Sequence, residues 1–249
     1  MKMVIDELIE IAYSGAQNRK LKDVRAGVGY TCAMLDDGSC GLAYTFRNQL
    51  GCCCSVLDDA GRLIGRDVGE IVTWAKDSNL LKAAIGIASI NAVINRAQGN
   101  WETGDVTSAF AVGPNDTLGM VGEFKPILNK VKNKTRTNYI FELEPAEGSG
   151  LYPSESIPQY LPECDVVVLT ATSIINHTFD KIITFCSNAR EVCIVGPSTT
   201  LCPEIFGRYH VTLLAGSVVK EPEQALQIVS QGGGTMSMKP AVKQVLVRL

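Results

Sequence analysis

"DVVVLTATSIINHTFD", residues 165 to 180, decides the fold. Val166 to Leu169 are apolar at every position, so both faces of the segment must be covered. That is the requirement of a parallel strand held between two layers of helices, not of a strand with one wet face. A second run of this kind, "VCIV" at 192–195, ends in "GPSTT" at 196–200. Outward from these, short apolar runs alternate with helical stretches. The pattern predicts strands over 117–121, 138–143, 165–171, 191–196 and 211–215, and helices near 126–132, 154–161, 178–187, 203–208 and 221–231. Such alternation predicts an α/β domain with a mainly parallel, doubly wound sheet.

Ligands of such sheets lie beyond the carboxyl ends of the strands, near the switch in strand order. Here those ends lead into residues 119–124, Glu142 and Glu144, residues 170–178, residues 196–200, and Gly216 with Ser217. Thr170, Thr172, Ser173, Asn176, Thr178, Ser198 and Thr199 supply uncharged donors and acceptors; taken singly, each could equally cap the next helix. His177 follows a strand end and could move a proton, since imidazole titrates near neutrality, or could simply decorate the loop.

The stretch "DTLGMVGEFKPIL" (116–128) has the outline of a phosphate loop but the wrong content. Its glycines, Gly119 and Gly122, read G-x-x-G, not G-x-G-x-x-G, and Glu123 with Phe124 stands where a phosphate would need free backbone N–H groups. Facing a ligand, Glu123 would favour an amine, a ring N–H or a cation; facing solvent, it would only add charge near the helix that starts at Pro126. A pyrophosphate is disfavoured. Glu142 and Glu144 lie about 20 residues further on, where dinucleotide-binding sheets place a ribose-binding carboxylate.

The first third changes period. Ile5, Leu8, Ile9, Ala12 and Ala16 have helical spacing. Val24, Ala26, Val28, Tyr30, Cys32 and Met34 then alternate, Asp37-Gly38 signals a hairpin, and Cys40, Leu42, Tyr44 and Phe46 resume the alternation. This predicts two antiparallel strands with one packed face and one lined by small residues around Thr31, and a third short strand near 54–57. Asp67 and Glu70 have capping-box spacing and start a helix through Trp74. Asp77 or Ser78 would cap a second helix to about Arg96, whose Ala84, Gly86, Ala88 and Ser89 admit the close approach of another backbone. Asn91, amid that apolar helix, is either an amide bonded within the core or a polar group aimed into a ligand cleft. The division expected is 1–98 for the small α+β domain and 99–249 for the α/β domain.

At 249 residues, 46% hydrophobic and 20% charged, the composition is that of a globular protein. A net charge of -3 gives no general attraction to nucleic acid or to an anionic membrane. "MKMVIDELIEIAY" places acids where a signal peptide needs an apolar core, and "LLKAAIGIASINAVI" falls short of the roughly 20 residues of a membrane span. A cytoplasmic location is expected, where nine cysteines stay reduced. Cys52-Cys53-Cys54 cannot readily close a tetrahedral site, because adjacent side chains of extended chain alternate sides. With only His177 and His210 besides, no metal site on the chain is expected. No Walker loop, nucleophile elbow or HExxH is present.

"GMVGEF", "DVVVLTATSIINHTFD", "GPSTTLCPEIF" and "VSQGGGT" resemble, in order and spacing, a prokaryotic family named for heavy-metal chelation. "VGYT" and "IASINAV" in the first third resemble its companion amino-terminal domain, so the similarity covers most of the chain. The resemblance implies an enolase-amino-terminal-like α+β domain followed by a Rossmann-like domain, with the pocket between them. It carries over Thr31, Asn91, Gly119, Gly122, Asn176, Thr178, Gly196, Pro197 and Ser198 as site residues, and Glu123 departs from the apolar or aromatic residue expected at its place. It further implies a small-molecule partner, pterin-, flavin- or siderophore-like, or its metal chelate. No cofactor can be named, and a homo-oligomer is left open. Three readings follow. One is an enzyme acting on such a metabolite by condensation, hydrolysis or group transfer, with Glu123, Asn176 and His177 orienting it or moving protons. Another is a non-catalytic binder or carrier. The last is an adenosylmethionine-dependent transferase with Glu142 on the ribose.

Overall fold

The computed structural model describes residues 2–51, 55–96 and 101–249. Helix α1 (Val4–Gly15) buries Val4, Ile5, Leu8, Ile9 and Ala12, the stripe its spacing requires. Three strands follow, β1 (Leu21–Ala26), β2 (Tyr30–Leu35) and β3 (Cys40–Tyr44), in one antiparallel sheet of order β1-β2-β3. The expected first strand is thus two. The alternation runs straight through a turn at Gly27–Gly29, closed by the Gly27 N–H donating to the Tyr30 carbonyl at 2.8 Å. Residues 55–57 form no strand, and the cysteine run at 52–54 lies outside the described residues.

Helices α2 (Val68–Val72) and α3 (Leu80–Ile94) complete this part. Asp67 caps α2, accepting from the Gly69 N–H. Asn79, and neither Asp77 nor Ser78, caps α3 by accepting from Leu81 and Lys82, while Asp77 receives the Asn79 N–H. Both faces of the small sheet are buried, a correction to the single packed face expected. Ala33 and Ala43 belong to the core that α3 enters. Gly41 lets that helix touch the sheet itself, since a Cβ there would lie 2.1 Å from the Ala88 carbonyl oxygen. Small residues do not leave this face open to water; they bring the helix closer.

The second part runs β4 (Thr117–Val121), α4 (Lys125–Val131), β5 (Thr137–Glu142), β6 (Tyr152–Pro153), α5 (Ile157–Tyr160), β7 (Val166–Thr170), α6 (Thr172–Ile175), α7 (Phe179–Ile183) and β8 (Glu191–Val195). It continues through α8 (Pro203–Phe206), β9 (Leu213–Val219), α9 (Pro222–Ser230), α10 (Thr235–Met238) and β10 (Val242–Arg248). The seven strands lie in the order β10-β9-β8-β7-β4-β5-β6. All pair in parallel except β10, which runs antiparallel to β9. The chain enters at β4, steps outward to β5 and β6, then returns to β7 on the other side, so the winding reverses between β4 and β7. Helix α6 and strand β10 were not anticipated.

The halves are interleaved. The face of the small sheet turned from α3 packs Tyr30, Cys32, Met34, Cys40 and Leu42 against Ala225, Leu226 and Val229 of α9 and against Met238. Burying each large side chain there is worth roughly 1.5–3 kcal/mol. The carboxyl-terminal segment therefore helps to hold the amino-terminal sheet and fixes β2 and β3 over the ends of the large one.

Candidate functional site

A cleft of about 750 Å³ opens at the carboxyl ends of β4, β5, β7 and β8, with Tyr30 and Tyr44 of the small sheet and Phe46 just beyond it on its far wall. At its floor, Gly122 leaves β4 with φ +86° and donates its N–H to the Phe141 carbonyl at 2.8 Å. A side chain at this position would be strained by that φ and would meet Thr170 Cβ at 3.0 Å. The next amide, Glu123 N–H, donates to the Glu142 carboxylate. The protein's own carboxylate therefore occupies the amide that a dinucleotide fold would offer to phosphate. Glu123, Glu142, Glu144 and Glu155 line the cleft against a single ammonium, Lys181, among the described residues. The Lys125 ammonium, itself well exposed, stands 3.5 Å from the Glu123 carboxylate. The field inside favours a cation or a hydrogen-bond donor and repels phosphate.

The rim is neutral and hydroxyl-rich. Thr170 Oγ1 and Thr172 Oγ1 are 2.9 Å apart, and Ser173 Oγ donates to the Thr170 carbonyl at 2.7 Å. Asn176 Oδ1 accepts from Thr178 Oγ1 at 2.7 Å and from the Thr178 N–H at 3.3 Å. Among the described residues Asn176 Nδ2 donates to no protein group, and it is free for a guest. At the end of β8 come Gly196, Pro197 and Ser198, where Ser198 Oγ accepts the Tyr44 N–H at 2.8 Å and ties the wall to the rim.

Of the residues singled out by sequence, Gly122, Glu123, Phe124, Glu142, Glu144, Thr170, Thr172, Ser173, Asn176, Thr178, Gly196, Pro197 and Ser198 come together on this cleft. Five do not. Thr31 is fully buried and pairs with Thr45 Oγ1 at 2.9 Å. Gly119 sits mid-strand, where a Cβ would lie 2.6 Å from Leu161 and 2.8 Å from Cys164, so it serves packing. His177 has φ +59°, and its Nε2 is 2.9 Å from the Ala75 carbonyl oxygen, directed at the amino-terminal half and away from the lining. Thr199 Oγ1 donates to the Ala215 carbonyl at 3.1 Å.

Asn91 is the fifth. Its Nδ2 donates to the carbonyls of Leu42 (2.9 Å) and Ser198 (3.2 Å), and its Oδ1 accepts from Thr200 Oγ1 at 2.7 Å. At the carboxyl cap of the same helix, four residues on, Asn95 Nδ2 donates to the Thr199 carbonyl at 2.8 Å and its Oδ1 accepts the Leu201 N–H at 2.8 Å. The two amides grip the loop after β8 from α3 and so set the position of Ser198. Asn95 was missed, although its i,i+4 spacing from Asn91 was a usable signal. The aromatic wall was missed as well: Tyr44 and Phe46, edge to face at 5.3 Å, carry no sign in sequence of which end of the large sheet they will meet.

Metal donors are sparse around these residues. Among the described residues, no three His, Cys, Asp or Glu side chains are grouped to hold an ion. Burial pushes the Cys164, Cys186 and Cys202 thiols up to about 12, which keeps them protonated and unreactive near neutrality. No described helix is long and apolar enough to cross a membrane.

Two family profiles, each described as "Putative heavy-metal chelation", match residues 9–94 and 105–248. An uncharacterised protein of Methanocaldococcus jannaschii is 26% identical over 186 residues, which span 73% of this chain and 71% of that one. A crystal structure of a protein of unknown function from Pyrococcus horikoshii superposes with a TM-score of 0.87 at 23% identity, covering 99% of this chain and all of that one. One from Desulfitobacterium hafniense, also of unknown function, gives 0.82 at 23% identity over 98% of each. These likenesses show the fold. Because the longer profile spans more than half of the 249 residues, the chain belongs to the family described as putative heavy-metal chelation.

Proposed function

We propose that the cleft binds a small, ring-bearing, phosphate-free metabolite of cationic or hydrogen-donating character, such as a pterin-, flavin- or siderophore-like chelator, and that the protein acts on it there. The observation that carries this reading is the Glu142 carboxylate seated on the Glu123 amide, with three further acids around it. A cleft of about 750 Å³ falls within the size range of small-molecule sites. Tyr44, Phe46 and Phe124 offer faces and edges for a flat ring; Asn176, Thr172 and Thr178 offer hydrogen bonds to its heteroatoms. The position at the switch between β4 and β7 is where a Rossmann-like sheet holds its ligand. A heavy metal would reach this cleft already bound to the organic molecule.

Turnover, by condensation, hydrolysis or group transfer, would draw on Glu123 and Asn176 to orient the ligand and move protons. His177, off the cleft, has no part in it. A carrier uses the same pocket and returns the ligand unchanged, which product analysis separates. Adenosylmethionine is a narrower second reading favoured by one observation: it is a phosphate-free cation, and Glu142 ends the strand after the glycine loop, where a ribose carboxylate would stand. Thermal unfolding against pterins, flavins, adenosylmethionine, ATP, NAD and free transition metals tests all of these. Ligand at about 100 times its dissociation constant adds roughly 2.7 kcal/mol of stability. The proposal expects a shift from a phosphate-free heterocycle that Asn176→Ala removes. A shift from ATP or NAD alone, or from free metal alone, contradicts it.

A further inference from the structure

The face of the small sheet beneath α9 gathers sulfur. Cys32 and Met34 alternate along β2 on that face, and Cys40 of β3 stands opposite Met34 in register. Directly opposed residues have Cβ atoms about 4.5–5.5 Å apart, and the diagonal places Cys40 beside Cys32. Their Sγ atoms are 3.2 Å apart, both thiols are free, and both are buried. Met238 closes the cluster from α10, with Leu42, Leu226 and Val229 around it. Neither cysteine belongs to the cleft described above. Cys40, though not Cys32, instead forms part of the wall of a separate recess of about 350 Å³, bounded by Ala92, Asn95, Arg96, Val218 and Lys220.

We propose that Cys32, Cys40 and Met34 form a second binding site, for a soft monovalent cation of the copper(I) or silver(I) type. Thiolate and thioether donors select such ions over hard or oxygen-seeking ones. Charge decides further among metals. In an apolar pocket an uncompensated charge is costly. A monovalent cation leaves the charge of the site unchanged by replacing one thiol proton; zinc must displace both, and the three sulfurs then leave its four-coordinate shell one donor short. Uptake breaks one S–H bond, forms one metal–thiolate bond and releases the proton to solvent; the second thiol and the thioether donate lone pairs, and no electrons change hands. Two sulfurs about 2.3 Å from a shared metal lie about 3.8 Å apart at a tetrahedral angle and about 4.0 Å at the trigonal angle of three donors, so the pair needs to open by roughly 0.6–0.8 Å. A disulfide is less well served, because diagonal positions put the Cα atoms about 7–8 Å apart, at the limit of bridging.

The test uses the chain with Cys52, Cys53 and Cys54 changed to Ser, so that a second run of soft donors in the sequence cannot confuse the count. Titrated with silver nitrate and examined by native mass spectrometry, this chain should retain one silver ion, lost on Cys32→Ser or Cys40→Ala. Met34→Leu should weaken retention by roughly tenfold, the order expected when one supporting group of a metal site is removed. Circular dichroism of each metal-free variant checks that it folds. X-ray absorption of the same serine chain loaded anaerobically with copper(I), its Cys32 and Cys40 intact, should show sulfur neighbours only, a readout that needs no change at the site. Absence of a retained ion, retention that survives both cysteine changes in folded protein, or nitrogen and oxygen neighbours around copper would overturn the proposal.

Discussion

The clamp on α3 and the rim at the strand ends are both built from uncharged amides and hydroxyls, yet they differ in how far the protein itself satisfies them. Asn91 is completely buried and has protein partners for both ends of its amide. Asn176 is half-buried and uses its oxygen on Thr178, while among the described residues its nitrogen makes no bond to the protein. A satisfied buried amide rigidifies the fold, and an amide half used at a cavity wall is available to something else. Residue type alone therefore does not mark a site. The difference lies in whether the hydrogen-bonding capacity closes within the chain.

That contrast can be broken by substitution. The largest effect is expected at Gly41, where an added Cβ would lie 2.1 Å from the Ala88 oxygen and 2.3 Å from the Ala92 nitrogen. Gly41→Ala must push α3 off the sheet, at a cost of about 3 kcal/mol in urea unfolding. Asn91→Ala comes next. It strands the Thr200 hydroxyl and two carbonyls in the interior, for about 2–3 kcal/mol, and each kilocalorie lowers the melting temperature of a chain this size by roughly 2–4 °C. Adding Asn95→Ala should cost less than the sum of the single changes, because both amides hold one loop. Asn176→Ala should stay within about 1 kcal/mol of the parent while abolishing the ligand-induced shift. If it destabilised the protein as much as Asn91→Ala, the rim would be scaffold and the contrast would fail.

A smaller effect is read through pH. Asp116, just before β4, is held by the Arg190 guanidinium at 2.8 and 2.7 Å and by the Gly113 N–H, which together keep its carboxyl below the usual aspartate range. A folded-state pKa below the unfolded one stabilises the protein above the unfolded pKa, and that contribution is lost as pH falls through the folded value. The stability difference between the parent and Asp116→Asn should therefore be constant near neutrality and shrink below about pH 4. Arg190 is half exposed, so the difference should remain under about 1 kcal/mol. A difference that grows in acid would contradict this.

The parallel strands were legible in the sequence because burial on both faces forces unbroken apolar runs, and Val166–Thr170 and Glu191–Val195 have them. The turn between β1 and β2 was not. Gly27 and Gly29 fall where the alternation expects its non-core residues, so a period-two count passes through the turn unchanged. Strand β10 escaped because Lys243 and Gln244 are exposed and only Val245 to Val247 are buried. Helix α6 spans four residues of a segment rich in hydroxyl side chains, which reads as loop. At the site, Gly122, Glu142, Thr170, Asn176 and Ser198 could be named in advance because topology dictates where strand ends point. Asn91 could not be settled: an amide in an apolar helix looks the same whether it bolts two elements together or faces a cavity. The aromatic wall depends on how the small sheet docks, which no local pattern encodes.

Hydrogen exchange with and without the heterocycle that gives the largest thermal shift tests the central claim most directly. The account predicts new protection confined to peptides covering 121–124, 141–144, 170–178 and 196–198, together with 44–46 of the small sheet. Protection appearing elsewhere, with those segments unchanged under saturating ligand, would contradict it.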